Sequence, residues 1–129
     1  MRHRPRIIIG ISSNFHARET VESGIRALRQ LFPDLRFSSL KTTAPLQGTG
    51  PDYINAVAVA ETELPPDAVV IALKSMEQAA GRRLNHRTSI CLDLDLMDYG
   101  GMAIPALRLP RTAQLKLDFN QEALTELNS

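Results

Sequence analysis

Asp93 and Asp95 stand one residue apart in the apolar run Leu92-Asp93-Leu94-Asp95-Leu96-Met97. In a β-strand, residues i and i+2 point to the same face. The two carboxylates would therefore lie side by side, with the leucines filling the opposite face. Adjacent like charges repel and cost desolvation energy, so a positive group between them is favoured. A hard divalent cation suits this role, because Mg²⁺ is commonly held by one or two carboxylates together with substrate phosphates. The same spacing also fits an amphipathic strand with a wet acidic face. Upstream, Arg82, Arg83, His86 and Arg87 form a basic stretch able to reach phosphate oxygens. Downstream, Asp98-Tyr99-Gly100-Gly101 predicts a turn. A basic loop followed by paired carboxylates is a layout for a metal–nucleotide, and the chain has no Walker-type glycine loop.

A chain of 129 residues predicts one domain, and 43% hydrophobic residues can fill a core. A net charge of +1 argues against a broad nucleic-acid surface, and the absence of Trp against base-stacking platforms. Cys91 is the only cysteine, which excludes an intrachain disulfide and fits a reducing cytoplasm; its apolar neighbours predict a packing role. The basic start, Met1 to Arg6, resembles the head of a signal peptide, but Ile7-Ile8-Ile9 is too short for the apolar part and reads as a first strand. No stretch approaches transmembrane length. A cytoplasmic protein with no nucleic-acid or membrane partner is expected.

These residues need a scaffold. Arg6 to Ser12 reads as a buried strand, and Ser13 or Asn14 as a helix cap. Val21, Ile25, Leu28 and Phe32 recur at helical spacing and predict a helix over 17–32, stopped by Pro33-Asp34. A second strand is predicted from Leu35 to Thr42, a loop from Pro45 to Asp52, and a third strand from Tyr53 to Glu63. Pro65-Pro66-Asp67 should open a second helix with the stripe Val69, Leu73, Met76 and Ala80, and Gly81 should end it. The aspartate strand follows. The order β-α-β-β-α-β predicts a ferredoxin-like α+β sandwich: an antiparallel sheet with two helices on one face and the other face open to a ligand. In the tail, Gln114 to Asn120 alternates like a short strand, and Gln121 to Leu127 suits one or two helical turns.

Placed on these elements, five motifs resemble the 6-hydroxymethyl-7,8-dihydropterin pyrophosphokinase family. Ser12-Ser13-Asn14 resembles its Gly-Ser-Asn turn, and Thr43-Ala44-Pro45-Leu46 its Thr-Pro-x-Leu loop. Pro51-Asp52-Tyr53-Ile54-Asn55-Ala56 resembles its Pro-x-Tyr/Phe-x-Asn-Ala signature, and Glu77 with Gly81-Arg82 its Glu-x-x-x-Gly-Arg. Leu92 to Leu96 with Tyr99-Gly100 resembles its Asp-x-Asp strand. The resemblance covers residues 7–110, with 111–129 as an abbreviated tail of the same single domain.

The resemblance implies diphosphate transfer from ATP to the hydroxymethyl group of a reduced pterin in folate biosynthesis. It implies two Mg²⁺ ions held by Asp93 and Asp95, with Arg82 and Arg87 as catalytic phosphate binders. It implies a pterin pocket of Thr43, Ala44, Leu46, Tyr53 and Asn55, and nucleotide contacts at Glu77, Arg82, Arg83, Arg87, Leu96 and Arg111. An amide such as Asn55 can pair with the donor–acceptor edge of a pterin, and Tyr53 offers a flat apolar wall. The chain also departs from the family. Counted back from Asp93 without gaps, Ile90 takes the place of the last arginine in the family's Arg-Trp-x-Pro-Arg-Thr loop, Arg87 that of its tryptophan and His86 that of its first arginine. If Arg87-Thr88 is instead the family's Arg-Thr, three extra residues separate it from Asp93 and the arginine points to another face. Arg111 replaces a histidine after Pro110, and part of the family's C-terminal core is not matched. These departures leave two rivals to the enzyme: a weak or inactive paralogue that binds a pterin or nucleotide, and a structural ferredoxin-like module.

Overall fold

A computed structural model describes residues 4–44, 50–81, 91–101 and 118–128. The elements in chain order are β1 (Arg6–Ser13), α1 (Ala17–Leu31), β2 (Arg36–Phe37), β3 (Lys41–Thr43), β4 (Tyr53–Glu61), α2 (Pro66–Ala79), β5 (Asp93–Tyr99) and α3 (Asp118–Asn128). The sheet runs β2-β4-β1-β5, with β3 also pairing β4, and every pairing is antiparallel. This is the antiparallel α+β sandwich expected from the β-α-β-β-α-β pattern.

The central strand β1 shows why the sheet has two different faces. Ile7, Ile9 and Ile11 are fully buried and point toward α1 and α2, where they meet Val21, Leu28, Val69, Leu73, Leu94 and Leu96. Ile8 and Gly10 alternate onto the other side. The predicted stripe of α1, Val21, Ile25, Leu28 and Phe32, is buried along its length. In α2, Val69 and Leu73 are buried, and Glu77 joins them at 3% exposure.

The second face is not wholly open. Ala123 and Leu127 of α3 pack on Val57, Val59 and Met97, with Ile8 and Leu124 beside them. The expectation of a free face is corrected accordingly: α3 covers one half of it. Residues 118–120, read as part of a short strand, lie in the first turn of α3. The alternation there competes with an apolar helical pair, Ala123 and Leu127, that finds a surface to bury.

Three local differences have visible causes. Neither Ser13 nor Asn14 caps α1; the residue before the helix is His16, in a left-handed conformation with φ 44°. Ser13 instead closes its own turn, its hydroxyl accepting from the Phe15 N–H at 3.2 Å and donating to the Phe15 carbonyl at 3.1 Å. The strand predicted over Leu35–Thr42 is split at Ser38. There the buried Ser38 hydroxyl accepts the Val57 N–H at 3.0 Å, a place a backbone carbonyl fills in an unbroken ladder. The aspartate strand continues to Tyr99 before Gly100 and Gly101 turn, because the Tyr99 hydroxyl is anchored on the Leu64 carbonyl at 2.7 Å. Gly81 ends α2 as expected, with φ 96°.

Candidate active site

The part of the second face that α3 does not cover carries Asp93, Asp95, Tyr53, Asn55 and Thr43, polar residues singled out by the sequence. Cross-strand register sets four polar residues in one row: Lys41 on β3 opposes Asn55 on β4, which opposes Ser12 on β1, which opposes Asp93 on β5. The next row toward α3 holds Val57, Gly10 and Asp95. Beyond Asn55 in the other direction, Tyr53 opposes Thr43. Directly opposed residues share a face. Asp93 and Asp95 therefore lie on the same side of the sheet as Tyr53, Asn55 and Thr43, away from α1 and α2.

Local structure explains the placement. Strand alternation sends Leu92, Leu94 and Leu96 into the helix-side core, at 4–5% exposure, and leaves both aspartates half-buried opposite. A register irregularity between Ile8 and Ile9 follows Asp95 on the paired strand. It turns Met97 into the α3 cluster and lies beside the carboxylates, a common place for a bulge to re-aim side chains. Gly10 makes room: a Cβ there would stand 3.1 Å from the Met97 sulfur.

Asn55 is 5% exposed and is held by three hydrogen bonds. Its Oδ1 accepts from the Ser12 hydroxyl at 2.8 Å. Its Nδ2 donates to the Thr43 hydroxyl at 2.6 Å and to the Lys41 carbonyl at 3.4 Å. Tyr53 is half-buried, and its phenol pKa is pushed up, first by burial and second by the negative charge of Asp93. Ala44 follows Thr43 and is exposed.

Glu77 and Leu96 occupy different ground. Glu77 stands on α2, where its carboxylate accepts the Leu94 N–H at 2.8 Å. Leu96 is buried in the helix-side core. The structure does not bring either one to the face that carries the aspartates. Leu46, Arg111 and the whole basic loop with Arg82, Arg83, His86 and Arg87 lie outside the described residues. Cys91 is half-buried, outside both apolar clusters, and donates to the Ala80 carbonyl at 2.8 Å; burial raises its thiol pKa. Among the described residues no helix is long and apolar enough to cross a membrane.

The family model for 7,8-dihydro-6-hydroxymethylpterin-pyrophosphokinase matches residues 8–129. The chain belongs to this pyrophosphokinase family. Two curated relatives agree, both called 2-amino-4-hydroxy-6-hydroxymethyldihydropteridine pyrophosphokinase. The protein from Haemophilus influenzae is 36% identical over 106 residues, which cover 78% of this chain and 66% of that protein. The protein from Pseudomonas putida is 32% identical over 114 residues, covering 81% of this chain and 92% of that protein. The chain thus spans just under two-thirds of the length of the Haemophilus influenzae relative. The pyrophosphokinase match includes the tail, so α3 is inside the family region and not an appendage to it.

Two residues of the site escaped the sequence reading as side chains with a role. Ser12 was visible only as part of a turn motif, although the period-two pattern Ile8, Gly10, Ser12 already placed it opposite the buried isoleucines. Lys41 carried no motif; its partners come from distant α3, with Nζ 3.9 Å from both Glu122 and Glu126.

Proposed function

We propose that this chain catalyses transfer of diphosphate from ATP to the hydroxymethyl group of 6-hydroxymethyl-7,8-dihydropterin, in the presence of Mg²⁺. The observation that supports this best is the shared face: a carboxylate pair suited to metal–phosphate on β5 lies across the single intervening strand β1 from an aromatic and amide pair on β4 suited to a pterin. In the reaction the substrate hydroxyl oxygen bonds to the β-phosphorus of ATP, the bond from that phosphorus to the α–β bridging oxygen breaks, and AMP leaves. The hydroxyl proton is released to solvent.

The donor set fits the metal. Asp93 and Asp95 supply oxygen ligands only, and among the described residues no third His, Cys, Asp or Glu joins them in a cluster. Two carboxylates with the rest of the shell left to phosphate and water is the usual arrangement for Mg²⁺. Asp93 and Asp95 would hold the ion, which would supply charge neutralisation at the phosphates. The protein's own part is positioning: Tyr53 walls the ring, Asn55 and Thr43 take its polar edge, and Arg82 and Arg87 contribute charge to the phosphates. ATP and the reduced pterin are the partners this reading requires.

The test is AMP formation from ATP and hydroxymethyldihydropterin by the purified chain. Mg²⁺-dependent AMP release that requires the pterin is expected, and is lost in Asp95→Asn. Folded protein that binds both ligands and releases no AMP would refute the enzyme and leave a binding paralogue.

A further inference from the structure

We infer that Ser12 is a positioning residue for the pterin, acting through Asn55. The inference rests on the pyrophosphokinase reading of the site. It begins with the amide of Asn55, whose two ends differ chemically: Oδ1 only accepts and Nδ2 only donates. The Lys41 carbonyl can only accept, so the end of the amide that faces it must be Nδ2. This fixes Oδ1 toward Ser12, 2.8 Å away, and forces the Ser12 hydroxyl to be the donor of that bond. At the far end, Thr43 Oγ1 accepts from Nδ2 at 2.6 Å, so its own proton points away from Asn55.

The outcome is a chain of hydrogen bonds with one direction, Ser12 to Asn55 to Thr43. Among the described residues it leaves a lone pair on Asn55 Oδ1 as an acceptor and the Thr43 hydroxyl as a donor. An aminopyrimidinone edge, where an N–H lies next to a carbonyl or ring nitrogen, is the complement of that pair. Thr43 and Asn55 touch the ligand; Ser12 sets how they are presented. Its place in the row, between Asn55 and Asp93, also puts its hydroxyl where the ring side of the site meets the carboxylate side. The 3.4 Å bond to the Lys41 carbonyl is long. Without Ser12 the amide is held firmly at one end only and can turn, and the acceptor and donor lose their fixed order.

The experiment is a double-mutant cycle on pterin affinity. Binding of 6-hydroxymethyl-7,8-dihydropterin is measured with Mg²⁺ and a non-hydrolysable ATP analogue, for wild type, Ser12→Ala, Ser12→Thr, Asn55→Ala and the Ser12→Ala/Asn55→Ala pair. Ser12→Ala is expected to weaken pterin binding about tenfold, the equivalent of one charge-neutral hydrogen bond. Affinity for the nucleotide should hold, and Ser12→Thr, which keeps a hydroxyl, should restore most of the loss. In the Asn55→Ala background the Ser12 substitution should add less than about twofold, since its route of action is gone. Unchanged affinity in folded Ser12→Ala overturns the inference alone. A full tenfold loss that persists without Asn55 also overturns it, and makes Ser12 a direct ligand contact. Failure of the wild type to bind the pterin overturns the functional reading itself, and this inference with it.

Discussion

Replacing Asn55 tests whether its amide organises the site or merely fills it. Asn55→Ala removes bonds of 2.6 Å and 2.8 Å, while the 3.4 Å bond contributes little. At about 1 kcal/mol net per good hydrogen bond, the loss is about 2 kcal/mol, since Ser12 and Thr43 are half-exposed and can turn to water. For 129 residues the unfolding entropy is roughly 270 cal/mol/K, so Tm should fall by about 7 °C. Asn55→Asp keeps the shape and should be worse at neutral pH. A carboxylate there would be almost fully buried, would face the Lys41 carbonyl and would share its row with Asp93. Burial and the neighbouring charge favour its neutral form, so the introduced carboxyl has a raised pKa in the folded state. The sign is then fixed: the folded protein binds the extra proton, so stability relative to wild type falls as pH rises above about 4 and recovers on acidification. Thermal melts of the three proteins between about pH 4 and pH 8 read both effects. A Tm shift under about 2 °C for Asn55→Ala, or an aspartate variant as stable as wild type at neutral pH, would refute the amide's structural role.

Asp93→Asn and Asp95→Asn should each abolish Mg²⁺-dependent nucleotide binding, measured by calorimetry, while leaving the far-ultraviolet circular dichroism unchanged, because relief of like-charge repulsion offsets the lost carboxylate. Asp93→Asn should also lower the pKa of Tyr53 yet leave it above the ordinary value of 10.0, since burial is the larger cause; ultraviolet titration of the phenol reads this. In the wild type the raised phenol pKa means that its contribution to stability is present below pH 10.0 and is lost as pH climbs through the folded value. The Glu126 carboxyl is held below its ordinary 4.5 by the hydroxyl and N–H of Ser39, with Lys41 adding a smaller pull. Docking of α3 should therefore weaken as pH falls below 4.5, seen as faster amide exchange around Ala123, and Glu126→Gln should remove most of that pH dependence.

The parts of the fold written in short-range pattern were legible. The stripe Val21, Ile25, Leu28, Phe32 and the alternation through Leu92 to Leu96 each imply a buried face, and each is buried as read. The aspartate pair was legible for the same reason, since period two alone puts Asp93 and Asp95 together. What sequence spacing does not carry is pairing at long range. The Ser38 break depends on the Val57 N–H, and Lys41 meets glutamates of a helix near the other end of the chain. The cover over half of the second face is of this kind: Ala123 and Leu127 suggest a helix, but not what it lies on. Ser12 shows the intermediate case, since its face was readable from Ile8 and Gly10 while its partner, Asn55, was set by register.

Glu77 matters for a reason separate from catalysis. Among the described residues no strand pairs with the outer edge of β5. An unpaired edge invites pairing with another chain. The buried Glu77 carboxylate takes the Leu94 N–H from the helix side, in the middle of that margin. On the opposite margin, Ser38 breaks what would be one long strand into two short ones. Glu77 thus occupies one N–H of the β5 margin, and Ser38 shortens the strands at the opposite border; a covered N–H and short edge strands are both features that limit pairing with a further strand.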